Sequence, residues 1–222
     1  MKIFINDIPV YIKKLDEHIK KEDFDRVIEG NDQSIPKKLI DDVLIWDASH
    51  EHIDQLLKLM TNRKFKELDN VTFAVSKRKK AVAYIKSKFK VIEAGGGVVH
   101  KDDLALFIYR LKKWDLPKGK LEGDEKPKAG AVREVEEETG VKVELEKKIC
   151  ATWHTYTRNS KYVLKKTHWY KMRCIDDSKM KPQKGESIDD VRWMDVRHSR
   201  QALYDSYRTI RYVMQEYYKL LG

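Results

Sequence analysis

The stretch LPKGKLEGDEKPKAGAVREVEEETGV, residues 116–141, decides how this chain is read. Its second half carries the marks of one helix. Pro127 suits a first turn, where a missing N–H costs nothing, and Gly140 suits the left-handed position that ends a helix. At about 100° per residue, with Glu134 set at zero, Glu137 falls near −60° and Glu138 near +40°, so three carboxylates share one face. Glu136 falls near 200°, on the far side, at about the same step. Ala131, Val132, Val135 and Thr139 occupy the arc between and are expected to be buried, so the acidic face borders the core.

Carboxylates at i, i+3 and i+4 repel one another. Along the helix Arg133 reaches Glu137 only, four residues on, which leaves the cluster net negative. A hard cation would relieve that repulsion, and oxygen-only ligands select magnesium, calcium or manganese. Magnesium, which keeps several waters and binds through a few carboxylates plus substrate phosphates, suits an open helical face. The alternative from the helix alone is a solvated acidic surface.

The loop before the helix extends the pattern. Gly119, Glu125, Arg133, Glu134, Glu137, Glu138 and Gly140, with aliphatic Val135 and Val141, fit G-x5-E-x7-R-E-U-x-E-E-x-G-U, where U is aliphatic. Seven fixed positions, each at roughly 5–10% usage, coincide by chance on the order of once in 10^8. The segment resembles the Nudix box at every specified position. The resemblance implies an α/β fold, an α/β/α sandwich around a mixed sheet, spanning about Lys90 to Leu221 by the order of elements. It also implies a hydrolase that activates water against phosphorus with bound divalent cations. Glu134, Glu137 and Glu138 then look like metal ligands, with the Gly119 carbonyl a further one, for Mg2+ or alternatively Mn2+. Arg133 looks like the residue that orients the glutamates, and Glu125 like its salt-bridge partner. The general base is not fixed by the box, and Glu186, Asp189 and Asp190 are candidates from a downstream loop.

The entrance LPKGKLEGDE resembles that of Nudix enzymes acting on diadenosine polyphosphates and diphosphoinositol polyphosphates. Tyr156, about fifteen residues past the box, resembles the base-contacting tyrosine of the former. Lys118 and Lys120, beside the box, and His154 are the expected phosphate ligands. Lys161, Lys165 and Lys166 are weaker candidates, and strand alternation lets at most one of the last two face a site. The substrate expected is a phosphorylated small molecule such as a dinucleoside polyphosphate. A nucleic-acid 5′ end is the second enzymatic reading, and a ligand sensor built on the same fold is the non-enzymatic one.

Outward from the box, strand-like pieces KVIEAGGGVVH, LALFIYRLK, KICATWHTY and YVLKKTHWYKMRCI surround the helix. Gly95-Gly96-Gly97 inside a strand pattern marks a bulge or a close backbone approach. A strand over Val191–Val196 and one helix from about Ser199 to Leu221 complete a Nudix domain over 90–222. That helix carries Leu203, Tyr207, Ile210, Met214, Tyr217 and Leu221 on one seam, for packing on its own sheet or, alternatively, for a homodimer. Residues 1–89 read as a small α/β domain of unassigned role. It holds a hairpin at Asn6-Asp7, a helix near Ser34-Ile35-Pro36 capped by Ser34, and a buried strand at VLIWDA. A helix capped by Ser49, a strand at Val71–Val75 and a basic helix at Arg78–Phe89 follow. His50 and His52, two apart on a helix, face different sides and do not suit one metal.

Charged residues are 37% of the chain, and the net charge of +10 suits a polyanionic partner or simply a well-solvated basic surface. Mean hydropathy is −0.68, and no apolar run approaches the roughly 20 residues that span a bilayer. The opening MKIFINDIPVYIKK is too polar for a secretory signal. Cys150 and Cys174 lack short-spaced partners and are expected as buried thiols in a reducing cytoplasm.

Overall fold

The protein is described here by a computed structural model that covers residues 1–158 and 161–221, the side chains of Arg158 and Lys161 excepted. The chain divides into two compact units, Met1–Val91 with Trp153–Leu164, and Ile92–Thr152 with Lys165–Gly222. Sequence reading placed Trp153–Leu164 within 90–222. That segment, the end of β10 (Lys142–Arg158) and the start of β11 (Lys161–Asp176), groups with the first unit, where His154 of β10 pairs with Phe4.

In the first unit β1 (Lys2–Ile5) and β2 (Ile8–Lys14) form the expected hairpin. Asn6 and Asp7 both take positive φ, 50° and 68°, as a two-residue turn between right-twisted strands requires. Strand β2 pairs in parallel with β5 (Leu68–Val75), β5 with β4 (Asp41–Ile45), and β4 with β3 (Arg26–Ile28). Helix α1 (His50–Asn62) connects β4 to β5, and α2 (Arg78–Ser87) follows β5. Ile53, Leu56 and Met60 of α1 are fully buried beside Ile12, Val43, Val71 and Phe73.

The helix expected at Ser34-Ile35-Pro36 does not form. The Ile35 N–H donates instead to Gln55 Oε1 at 2.7 Å, and Gln55 Nε2 donates to the Gln33 carbonyl. Two side-chain bonds from α1 thus hold the segment open, while Ile35 and Leu39 are buried in the core. Ser49 caps α1 as expected, and His52 completes the cap from its own ring nitrogen. His50 stacks flat on Tyr84 at 3.8 Å, so both histidines have structural partners.

The second unit is an α/β/α sandwich. Its strands are β6 (Lys90–Lys101), β7 (Leu104–Arg110), β8 (Lys113–Asp115), β9 (Lys118–Lys120), the inner lengths of β10 and β11, and β12 (Ile188–Met194). They run β12-β7-β6-β11-β10, with β8 on β7 and β9 on β6. Alternation along the strands separates two apolar layers. Val99, Leu106, Ile108, Tyr170 and Met172 meet Ala131 and Val135 of α3 (Pro127–Thr139). Their neighbours Val98, Phe107 and Trp169 meet the opposite layer of α4 (Val196–Tyr204) and α5 (Arg208–Tyr218).

Those last two helices replace the single one expected over Ser199–Leu221. The break falls where the Asp205 carbonyl accepts from Trp114 N–H of β8 and Ser206 Oγ turns back to the Ala202 carbonyl. A long-range strand contact thereby diverts a backbone whose local pattern is helical throughout. Ile210, Met214 and Tyr217 bury their seam on the unit's own sheet, whereas Leu221 at its end is exposed. Among the described residues Cys150 and Cys174 form no disulfide, and both are half-buried, not enclosed as expected. Among the described residues no helix is long and apolar enough to cross a membrane.

Candidate active site

Helix α3 begins and ends where its sequence says. Pro127 occupies the first turn, and Gly140, at φ 71°, sends its N–H back to the Glu136 carbonyl. Three glycines let this helix and its loop sit close to the sheet. A Cβ on Gly95 would lie 2.5 Å from the Ala131 nitrogen, and one on Gly97 would lie 3.0 Å from Val135 Cγ2. On Gly96 it would lie 2.7 Å from Lys118 Cβ. The expected close approach is therefore between β6 and the box. Strand β9 fixes the loop, pairing Lys118, Gly119 and Lys120 with Gly96, Gly95 and Ala94.

The carboxylates take the phase read from the sequence, and their environments differ. Glu138 is buried at 2% exposure. It accepts the Lys118 backbone N–H at 2.9 Å, and Arg110 Nη1 stands 3.5 Å from its other oxygen. Burial pushes its carboxyl up to about 7, against the pull of Lys118 and Arg110. Glu134 is half-buried, and desolvation also raises it, opposed by its bond to Arg133. Its carboxylate fills the space that a Cβ on Gly119 would need, so only glycine lets the two meet. Glu137 is the most exposed of the three. Glu136 faces away, bonded to Lys142 Nζ at 2.7 Å and to the Val143 N–H.

Arg133 does more than the helix spacing predicts. Its Nε and Nη2 grip the two oxygens of Glu125 at 2.9 Å each, and Nη2 also reaches the Lys120 carbonyl. Its Nη1 bridges Glu134 at 2.9 Å and Glu137 at 3.0 Å. Hydrogen bonds to Glu125 lead the causes that raise the guanidinium above its ordinary range, and the same bonds lower Glu125. The expectation that along the helix Arg133 reaches Glu137 only is corrected, since it also bonds Glu134, while its pairing with Glu125 is the one the box resemblance implies.

Among the described residues, no three acidic, histidine or cysteine side chains stand close enough together to enclose a metal ion as placed. Arg133 accounts for part of this, since it occupies an oxygen of Glu134 and one of Glu137. The donor chemistry nevertheless fits a hard divalent cation. All three groups are carboxylates, two of them are disfavoured in their charged form by burial, and the backbone of Gly119 lies open to Glu134.

Further groups complete the surroundings. Buried Asp115 accepts from Lys118 Nζ and from its neighbour's N–H at 2.8 Å. Glu186 lies 3.8 Å from Arg110 Nη2 and acts electrostatically on Glu134, which brings one of the three downstream acids to this site. Asp190 instead pairs with Arg192. Lys166 pairs with Glu93, whereas Lys165 is half-buried and feels Lys118, Arg110, Asp115 and Glu134. The exposed side chain of Lys120 leaves its carbonyl to Arg133. His154 and Tyr156 belong to the first unit, where their rings lie 5.9 Å apart. The Lys161 side chain lies outside the described residues. Arg110 and Asp115 have no periodic signal linking them to the box, and only the Arg110 position at a strand end hints at a role.

The NUDIX domain family model matches residues 96–215, more than half of the chain. This chain belongs to the NUDIX family. A "MutT-like protein" of Streptomyces ambofaciens is 46% identical over 57 residues, which is 25% of this chain and 37% of that relative's length. Among solved structures, a NUDIX hydrolase from Nitrosomonas europaea is 20% identical, with a TM-score of 0.46, over 59% of this chain and 90% of the other. An Ap4A hydrolase of C. elegans is 17% identical, with a TM-score of 0.45, over 59% and 97%. The NUDIX match ends six residues before the last described residue and takes in the whole of α3 and its loop.

Proposed function

We propose that this NUDIX chain hydrolyses a phosphoanhydride bond in a nucleoside polyphosphate, a dinucleoside polyphosphate being the preferred class, with Mg2+ or alternatively Mn2+. The observation that carries the reading is the complete carboxylate set of α3, packed by Gly95, Gly96 and Gly97 against the strand that holds Gly119. Glu134, Glu137 and Glu138, with the Gly119 carbonyl, would hold the cation. When bound it supplies charge neutralisation for the diphosphate and a more acidic water.

The chain's own groups do the rest. Lys118 N–H fixes one oxygen of Glu138, leaving the other turned toward Arg110. Arg133, anchored by both oxygens of Glu125, sets the orientation of Glu134 and Glu137. Glu186, within reach of Arg110, is the downstream acid best placed to accept a proton from the attacking water. Phosphoryl transfer asks mainly for such positioning and charge.

Two features support the polyphosphate class: the LPKGK entrance and the lysines beside the box. The name of the C. elegans relative, an Ap4A hydrolase, agrees with it. A panel of diadenosine tetraphosphate, ATP, ADP-ribose, a sugar nucleotide and a 5′-triphosphate RNA tests the reading. Diadenosine tetraphosphate is expected to lead. ADP-ribose ranked first refutes the substrate class.

A further inference from the structure

Helix α2 of the first unit has no part in the carboxylate site, yet its sequence is far from neutral. The run KRKKAVAYIKSKFK, residues 77–90, holds seven basic residues and no acidic one. Its apolar side is already occupied: Ala81 and Ile85 are buried in the first unit's core, with Val82 and Tyr84 packed beside them. At about 100° per residue, Lys79, Ala83, Ser87 and Lys80 follow one another around the opposite arc. All four are exposed. Among the described residues, the acid pairings of this run are those of Arg78 with Glu17 at 3.9 Å and Lys88 with Asp54 at 2.8 Å. Lys86 lies over the Trp153 ring at 4.3 Å. The first turn places cations where the helix dipole favours anions, with no acid there and no capping side chain. A polyanion lying on this face would remove that conflict.

The composition of the exposed arc selects among polyanions. It carries no aromatic ring on which unpaired bases could stack, which disfavours a single strand. Among the described residues α2 exposes no large apolar side chain, so nothing on it can enter a bilayer. Lys80 and Lys88 stand eight residues apart, about 12 Å along the helix axis at ~1.5 Å per residue. That span matches the roughly 12 Å width of the major groove of duplex DNA, whose edges are lines of phosphates. The small side chains of Ala83 and Ser87 lie between the two lysines and let the helix come close. The deep, narrow major groove of duplex RNA offers no such span. We propose that the exposed face of α2 docks on duplex DNA, with lysines at both ends of the helix on the phosphates that border the major groove. Lysine, alanine and serine offer no paired donors for a base edge, so the docking is independent of sequence. It stands apart from the hydrolytic reading of the second unit.

The test is fluorescence anisotropy of the full chain, in chelator, with a labelled DNA duplex of about 20 base pairs, over roughly 50 to 200 mM salt. The unaltered protein should bind it with an affinity that falls steeply as salt rises, and equally for two unrelated sequences. Lys79→Gln combined with Lys80→Gln should lower the slope of log affinity against log salt by roughly two and weaken binding at least ~ten-fold at the lowest salt. Both positions are exposed, and glutamine matches lysine as a helix former, so the fold is kept. Lys147→Gln combined with Lys148→Gln removes the same formal charge from exposed positions of β10 and should leave the slope unchanged. Equal weakening by the two pairs, or binding that salt does not reduce, overturns the docking face. A duplex of RNA, a DNA single strand, or vesicles of phosphatidylserine and phosphatidylcholine bound as tightly as the DNA duplex overturns the choice of partner.

Discussion

Glu138→Gln is expected to stabilise the metal-free protein above neutral pH while disabling the site. The wild-type carboxyl is pushed from its ordinary 4.5 up to about 7, chiefly by burial. Between those values the unfolded chain has released its proton and the folded chain still holds it. Stability therefore falls as pH rises from about 4.5 to about 7 and is flat on either side. At roughly 1.4 kcal/mol per pH unit, the interval comes to ~3 kcal/mol that the buried charge costs at pH 8.5. A glutamine carries no charge and can still accept the Lys118 N–H, so it should recover most of that. Its amide NH2 then faces Arg110, which makes ~3 kcal/mol an upper limit. Urea unfolding in chelator at pH 5 and 8.5, followed by near-ultraviolet circular dichroism, measures the difference. The variant should exceed the parent at pH 8.5 and match it at pH 5. A variant less stable than its parent at pH 8.5, or a gap that does not close toward pH 5, refutes the account of Glu138 as a charge held against its solvation.

Other consequences follow from the same geometry. Glu134→Gln should lower kcat at least ~100-fold, and Glu136→Gln, at a position bonded to Lys142 and Val143 on the far face, should change it little; equal losses in a steady-state assay would show the helix phase to be wrong. Gly95→Ala places a methyl against the Ala131 backbone, so α3 must shift, and unfolding titrations should find ~1–3 kcal/mol lost. Arg133→Lys cannot reproduce the paired grip on Glu125 and should cost roughly 1–2 kcal/mol together with a fall in kcat, read from a melt and a rate on one preparation.

Much of α3 was legible because its signals are local. Pro127 and Gly140 set its ends through backbone chemistry alone, and the 3.6-residue period separated Glu136 from the other three glutamates. The Gly95–Gly97 run announced a close approach without naming its partner, since a missing Cβ says nothing of what comes near. Arg133 was read in two parts, Glu137 from the helix period and Glu125 from the box resemblance, and neither shows that the side chain also bonds its neighbour Glu134. Arg110 and Asp115 join the site through strand pairing, which no local pattern encodes. The same limit explains the two helix errors. Ser34 and Ser49 carry equal capping chemistry, but Gln55 of α1 claims the backbone after Ser34. The amphipathic seam runs unbroken through Asp205, but Trp114 takes its carbonyl.

The central claim is that the α3 carboxylates work through a bound divalent cation. Its most direct test is hydrolysis of diadenosine tetraphosphate by one purified preparation with Mg2+, with Mn2+ and in excess chelator, beside Glu134→Gln under the same conditions. Cleavage that needs Mg2+ or Mn2+, vanishes in chelator and collapses in the variant is the predicted result; full turnover in chelator, or a variant as fast as its parent, would contradict it.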